Sequence, residues 1–393
     1  MFEFFKPAAS RSAALSLPAS GSDEISESKS AQRLIALQLG GGAHWTPHNF
    51  NALCREGYDR NPIVYRCVRM IAEAAASVSL SVTGQNAVKD YLARSVGQQS
   101  LTETLEAFYG FLQLSGEAYL EMQLSGSTPA LMLSLCPADV TPLVTRTGQI
   151  SAWKIEQGES RRTLRLDIAK GRAPLLHMRL FSPKGTVSPL QACAQAVDMH
   201  NEGGRWAKAL LENSARPSGA LIYKGVNGAD HLTDDQFERL KSELENGHSG
   251  ARHAGRPLVL EGGLDWKSMS LSPTDMDFIQ ARREAAREIA LAFGVPPMLL
   301  GLPGDNTYAN YREANQAFWR QTIIPLVSKT AVGLQNWLRP WFDENLSVSP
   351  DLESVPALAE DRNSLWQRLS AADFLSDSEK RVLAGLGDEG GAP

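Results

Sequence analysis

With 393 residues, 43% hydrophobic and 21% charged, the chain is long enough to bury a core and to hold two or three domains. Its formal charge of -5 argues against a tight nucleic-acid binder, whose affinity comes from many Lys and Arg contacts to phosphates, but is compatible with a surface that touches DNA without holding it. No apolar run reaches the ~18–20 residues of a membrane span, residues 1–7 lack a signal-peptide core, and Cys54, Cys67, Cys136 and Cys193 show no metal-ligand spacing; the expectation is a soluble protein with reduced thiols, in the cytoplasm or in an assembly made there.

Residues 1–44 read as a disordered arm, rich in Ser, Ala and Gly from 8 to 42, although the first five residues include three Phe suited to docking on a neighbouring surface. Order is expected from Trp45. Asn61-Pro62 reads as a helix start, and Ile63, Cys67, Met70, Ile71, Ala74 and Ala75 repeat at helical spacing behind it. A second helix is predicted over 101–114. Short apolar segments at 118–123, 130–135, 140–144, 150–155, 163–166 and 175–178, separated by Gly or Pro, then predict strands of an α+β domain with an antiparallel sheet.

From Ser188-Pro189, a cap and first-turn proline, a helix is predicted to 213. A small α/β insertion follows, with strands at 219–223 and 257–260 and a helix over 233–244. Ser272, Pro273 and Asp275 start the next helix, which should stop at Phe293 because Gly294 can take the left-handed conformation and Pro296 and Pro297 cannot continue a helix. Residues 299–310 are dense in turn formers. Beyond them the spacing of Tyr311, Ala314, Phe318, Val327, Ala331, Leu334 and Leu338 predicts a helix that, if continuous to Trp341, is ~50 Å long, with Pro325 kinking or interrupting it. The tail from Asp343 carries eleven acidic and four basic residues, with short helices expected near Leu365 and Val382.

Chemical motifs are missing: the sequence has no phosphate-binding glycine loop with Lys and Ser/Thr, no nucleophile elbow, no H-E-x-x-H and no dinucleotide fingerprint. Hence no catalytic residue, metal ligand or cofactor is assigned. His44 and His48 are separated by helix-breaking Pro47 and read as surface histidines. Asp275 and Asp277 are imaginable as a metal pair but fit dipole and capping roles better. Arg282, Arg283 and Arg287 share one helix and suit DNA phosphates, while Glu284 and Glu288 beside them fit a solvated or inter-subunit face equally well. Arg252, His253 and Arg256 form a basic tip on the insertion, either a solvated turn or a partner-docking loop. Trp337, Trp341 and Phe342 read as core or interface aromatics.

FGVPPMLLG at 293–301, a Gly/Asn-rich loop, and NYREANQAFWRQTIIPL at 310–326 resemble the signature of portal proteins from tailed double-stranded DNA phages of the long, flexible-tailed type and of related gene transfer agents. NPIVYRCVRMIAEAAASVSL at 61–80, GTVSPLQACAQAV at 185–197 and LSDSEKRVLAGLGDEGG at 375–391 extend the resemblance in the same order. It implies a ring, commonly dodecameric, at one capsid vertex of a virion or virus-like particle assembled in the bacterial cytoplasm. The implied subunit has a mixed α/β wing at 45–187, stem helices at 188–214 and 272–294, a clip at 215–271, a tunnel-loop region at 295–310, a spine helix at 311–342 belonging to the wing, and a small helical crown at 343–393. Implied partners are double-stranded DNA passing through without sequence specificity, the major capsid protein, the large terminase, and head-tail connector or adaptor proteins, with no membrane. The resemblance makes Asp305, Asn306, Thr307, Tyr308 and Asn310 candidates for the channel constriction, Arg282, Arg283 and Arg287 for channel-facing stem positions, and Arg252, His253 and Arg256 for docking on the clip. A head-tail adaptor or other capsid-associated structural protein, and a metal-dependent DNA-processing enzyme, stay open beside this reading.

Overall fold

The computed structural model describes residues 45–94, 100–183, 185–212, 219–223, 233, 235, 238, 239, 242, 264–268, 278–302 and 308–384. The chain enters through α1 (Phe50–Leu53), runs on into a π turn (Cys54–Tyr58), and forms α2 (Pro62–Ser77). The Asn61 side chain starts α2 by accepting from the N–H groups of Ile63 and Val64 at 3.0 and 3.2 Å, satisfying donors that the first turn leaves free. Next come β1 (Leu80–Thr83), α3 (Asn86–Ala93) and α4 (Leu101–Ser115), the last begun by a reciprocal Ser100–Glu103 capping box.

The expected antiparallel sheet is two three-stranded antiparallel sheets. One has the order β3-β2-β7, from β2 (Glu117–Ser125), β3 (Thr128–Leu135) and β7 (Leu175–Arg179); the other has β4 (Val140–Val144), β5 (Ile150–Gln157) and β6 (Ser160–Arg165) in sequential order. Strand β2 is covered on both faces. Ala118, Leu120 and Met122 enter the main core with Val64, Ile71, Phe108 and Leu112, whereas Tyr119 enters a smaller cluster with Leu135, Val140, Trp153, Ile155 and Leu175. Glu121, buried on the Tyr119 side of β2, accepts from Arg162 of β6 at 2.7 Å and so joins the two sheets.

The predicted 188–213 helix is broken: α5 (Pro189–Ala192) ends at Cys193, whose backbone leaves the helical range, before α6 (Ala194–Glu212). Strand β8 (Gly219–Tyr223) pairs antiparallel with β9 (Leu264–Ser268), a segment without a sequence-based strand expectation; the strand expected at 257–260 lies outside the described residues. Asp235, Glu238, Arg239 and Ser242 are helical, within the helix expected over 233–244. The helix leading to Gly294 is described as α7 (Phe278–Phe293), and its predicted start at Ser272 lies outside the described residues.

The long helix expected beyond the turn-rich segment is interrupted just ahead of Pro325, one of the two outcomes expected of that proline. α8 (Tyr308–Phe318) and α9 (Ile324–Leu338) are joined by a π turn (Trp319–Ile323) in which the Ile324 N–H bonds back to the Trp319 carbonyl. Pro325 has no N–H and its ring crowds the preceding turn, so the chain widens by one residue just ahead of it. Val327, Ala331, Leu334 and Leu338 of α9 complete the main core against α2 and α4. β10 (Ser347–Pro350) then pairs antiparallel with β1, followed by α10 (Ala359–Ser370) and α11 (Asp377–Leu383), near the two expected tail helices. No helix among the described residues is long and apolar enough to cross a membrane.

Candidate channel and assembly surfaces

Helices α6 and α7 pack together, and the β8–β9 pair lies between them in sequence. The first half of α6 is fastened to the start of the described chain by buried polar groups. Asp198 accepts from the Thr46 backbone N–H at 2.8 Å and from its hydroxyl at 2.5 Å. Asn61 uses its amide nitrogen on His200 Nδ1 at 3.2 Å and on Asn201 Oδ1 at 3.0 Å, while Asn201 donates to the Glu56 carbonyl at 2.8 Å. One residue therefore caps α2 and locks α6 to it. With Asn61 as donor, His200 presents an unprotonated Nδ1; burial, and secondarily the charge of Arg282, hold its pKa below the ordinary histidine value.

The three arginines of α7 separate. Arg282 lies on α6, where a Cβ at Gly203 would fall 2.8 Å from its Cγ and 3.1 Å from its Cδ, and its Nε is buried without a hydrogen-bond partner among the described residues. Arg283 is exposed. Arg287 is half-buried and donates to Glu284 at 2.8 Å. Ile279 and Leu291, 69% and 80% exposed, fall at four-residue intervals on the same face as Arg283 and Arg287. That face is a mixed apolar and basic stripe, while Arg282 turns away from it to α6.

α7 closes as its sequence implies, with Gly294 at φ +67°. The Gly294 carbonyl accepts from the Thr322 hydroxyl at 2.6 Å, tying the end of α7 to the π turn between α8 and α9. The turn-rich segment is shorter than expected: Tyr308 already opens α8 and Asn310 is half-buried within it, because helical hydrogen bonding begins ahead of the apolar repeat that marked Tyr311. Asp305, Asn306 and Thr307, the basic tip Arg252, His253 and Arg256, and Asp275 and Asp277 lie outside the described residues, as do His44 and residues 1–43. His48 is exposed.

The aromatic trio packs within the chain. Trp337 and Trp341 both donate to the Ala173 carbonyl, at 2.8 and 3.3 Å; Arg172 stacks 5.0 Å from the Trp341 ring, and Phe342 meets Tyr91 at 5.4 Å. The Asn61–His200–Asn201 network had no sequence signal beyond the cap at Asn61. Gly203-Gly204 was missed in the sequence as well, although two poor helix formers inside a helical pattern are the signal that marks close approach by a neighbour.

Among the described residues no three His, Cys, Asp or Glu side chains gather as a metal site. The described residues form a mixed α/β body and a packed helix pair that flanks a strand pair in sequence. The chain belongs to the phage portal protein family, whose sequence pattern matches residues 62–385, and its role is structural rather than enzymatic. An uncharacterized protein of Rickettsia bellii is 39% identical over 84% of this chain and 88% of its own length. The portal protein of Escherichia phage T5 is 31% identical over 39% of this chain and 36% of its own. Among solved structures, a chain in the neck of an empty gene transfer agent particle, computed with C6 symmetry, is 44% identical with a TM-score of 0.70, covering 88% of this chain and 96% of that one. An HK97-family phage portal protein from Corynebacterium diphtheriae, 14% identical with a TM-score of 0.56 over 80% of this chain and 100% of that one, shares the fold.

Proposed function

We propose that copies of this chain form a ring, commonly dodecameric, at one vertex of a capsid, through whose axial opening double-stranded DNA is packaged and ejected. The observation that carries this is the extended likeness to chains in gene transfer agent necks, 44% identical over 88% of this chain, including a native neck computed with C12 symmetry. The wing is 45–187 with the spine 311–342, the stem is 188–214 and 272–294, the clip is 215–271, and the crown is 343–393. The terminase docks on the clip around Arg252, His253 and Arg256, and head-tail connector proteins replace it. The major capsid protein surrounds the ring.

A conduit must let DNA move. Many phosphate contacts would hold the duplex still, so an overall charge of -5, a polar segment of Asp305, Asn306, Thr307, Tyr308 and Asn310, and sparse exposed arginines such as Arg283 suit passage better than binding. The packing of Arg282 on α6 favours Arg283 and Arg287 as the channel-facing pair. Deleting residues 305–308 is expected to spare ring assembly and impair DNA packaging or retention; normal DNA-filled particles from that deletion would count against a constriction at this loop.

A further inference from the structure

Helices α2 and α4 leave an apolar groove of about 560 Å³ between them, lined by Tyr58, Ala72, Ala107, Gly110 and Phe111, with Glu106 among its polar residues. Gly110 stands in the interior of α4, where glycine favours helix least of all residues except proline. Nothing among the described residues requires it, because a Cβ built there meets none of their atoms within 4 Å. The missing side chain leaves room for something outside the protomer. Glu103 and Arg69 also line the groove, but Arg69 pairs with Glu73 and Glu103 caps α4, which leaves Glu106 as a rim carboxylate without an ion-pair partner among the described residues.

The same chain carries a matching projection. Just past β7, Phe181 is 92% exposed, and Arg179 two residues earlier is also exposed, with no ion-pair partner for its guanidinium among the described residues. The ladder continues one residue past β7, with the Leu180 N–H on the Gly116 carbonyl at 2.8 Å, and strand alternation carried on from there sets residues 179 and 181 on one side of the backbone. The other highly exposed phenylalanine among the described residues, Phe374 at 86%, follows Asp373, whose carboxylate would oppose Glu106.

We propose that the α2–α4 groove receives the Phe181 segment of the next copy of this chain, with the ring of Phe181 over Gly110 and Arg179 beside Glu106. This rests on the ring reading above and assigns it a contact. The two surfaces are different patches of one protomer, so each copy offers a projection to one neighbour and a hollow to the other, the head-to-tail arrangement that closes rings. A buried aromatic anchor in an apolar pocket is the contact type on which association free energy concentrates.

The test uses the full-length chain and its Phe181→Ser, Gly110→Trp and paired Phe181→Cys/Ala107→Cys variants, with the single cysteine variants as controls for Cys54, Cys67, Cys136 and Cys193. Phe181 is exposed and Gly110 faces open space, so Phe181→Ser and Gly110→Trp should melt like wild type yet lower the ring fraction about tenfold at matched concentration. Oxidation of the paired variant should give a ladder of covalently linked protomers, reversed by reductant and absent from the single variants. Wild-type rings with undiminished assembly in both variants, and no ladder from the pair, would overturn the contact alone. A wild-type chain that stays monomeric would overturn the ring reading and this contact with it.

Discussion

Substituting Gly203 by alanine tests whether Arg282 belongs to the α6–α7 joint. On an isolated helix the change is favourable by about 1 kcal/mol. In this structure the new Cβ stands 2.8 Å from Arg282 Cγ and 3.1 Å from Cδ. Carbon atoms settle at ~3.5–4.0 Å, so Cγ must retreat by roughly 0.8 Å, and an atom so near the backbone cannot do that by swinging the guanidinium aside. Overpacking of this kind costs about 1–3 kcal/mol, which cancels or exceeds the helix gain. In an Arg282→Ala background the obstacle is gone, and Gly203→Ala should then stabilise by about 1 kcal/mol. The two changes should therefore be coupled by ~1–3 kcal/mol, well beyond the ~0.5 kcal/mol scatter of independent sites. Amide hydrogen exchange in α6 and α7 reads the local opening free energy without requiring the whole chain to unfold in one step. Equal effects of Gly203→Ala in both backgrounds would refute the packing of Arg282 against α6.

Further outcomes rest on other parts of the fold. Gly116, at φ +81°, closes α4, and a Cβ there meets the Val187 carbonyl oxygen at 2.7 Å, whereas Gly126, at φ +66°, has open space. Gly116→Ala should cost more than the ~1–2 kcal/mol of left-handed strain expected for Gly126→Ala, and equal denaturation midpoints would contradict the close approach. His200 is held neutral below the ordinary pKa of 6.5, so the unfolded chain binds its proton first. The α2–α6 joint should keep its full stability above that value and lose it as pH falls through 6.5 toward the lower folded value; His200→Gln should flatten this dependence, and an unchanged profile would exclude His200 as its source. Between the two sheets, Arg162→Ala strands the buried Glu121 carboxylate and should cost about 3 kcal/mol or more, while Glu121→Ala leaves a partly exposed Arg162 that water can solvate and should cost less. The reverse order in urea denaturation would contradict the burial assigned to Glu121.

The elements that could be read ahead of the structure are those whose cause is local. Ser100 with Glu103, Asn61 with Pro62, and Gly294 before two prolines each carry their helix boundary within a few residues, and the six strands from β2 to β7 lie where apolar runs meet Gly and Pro. What was missed depends on distant partners. β1 and β10 are four-residue strands that pair from opposite ends of the described chain, α3 has no side-chain cap, and His200 meets Asn61 only after 139 residues. Pro325 announced an interruption but not its form, since a kink and a π turn both answer a missing N–H. The arginine trio was legible as a set; its division was not, because it depends on which side chain the Gly203 gap admits.

If this portal-family chain works as a ring, the ring should form from the chain alone. Electron microscopy of the purified full-length protein, with subunits counted in end views, reads this out. Annular particles with an axial opening and subunit counts centred on twelve are expected, whereas monomers, or compact particles without an axial opening, would rule the ring out.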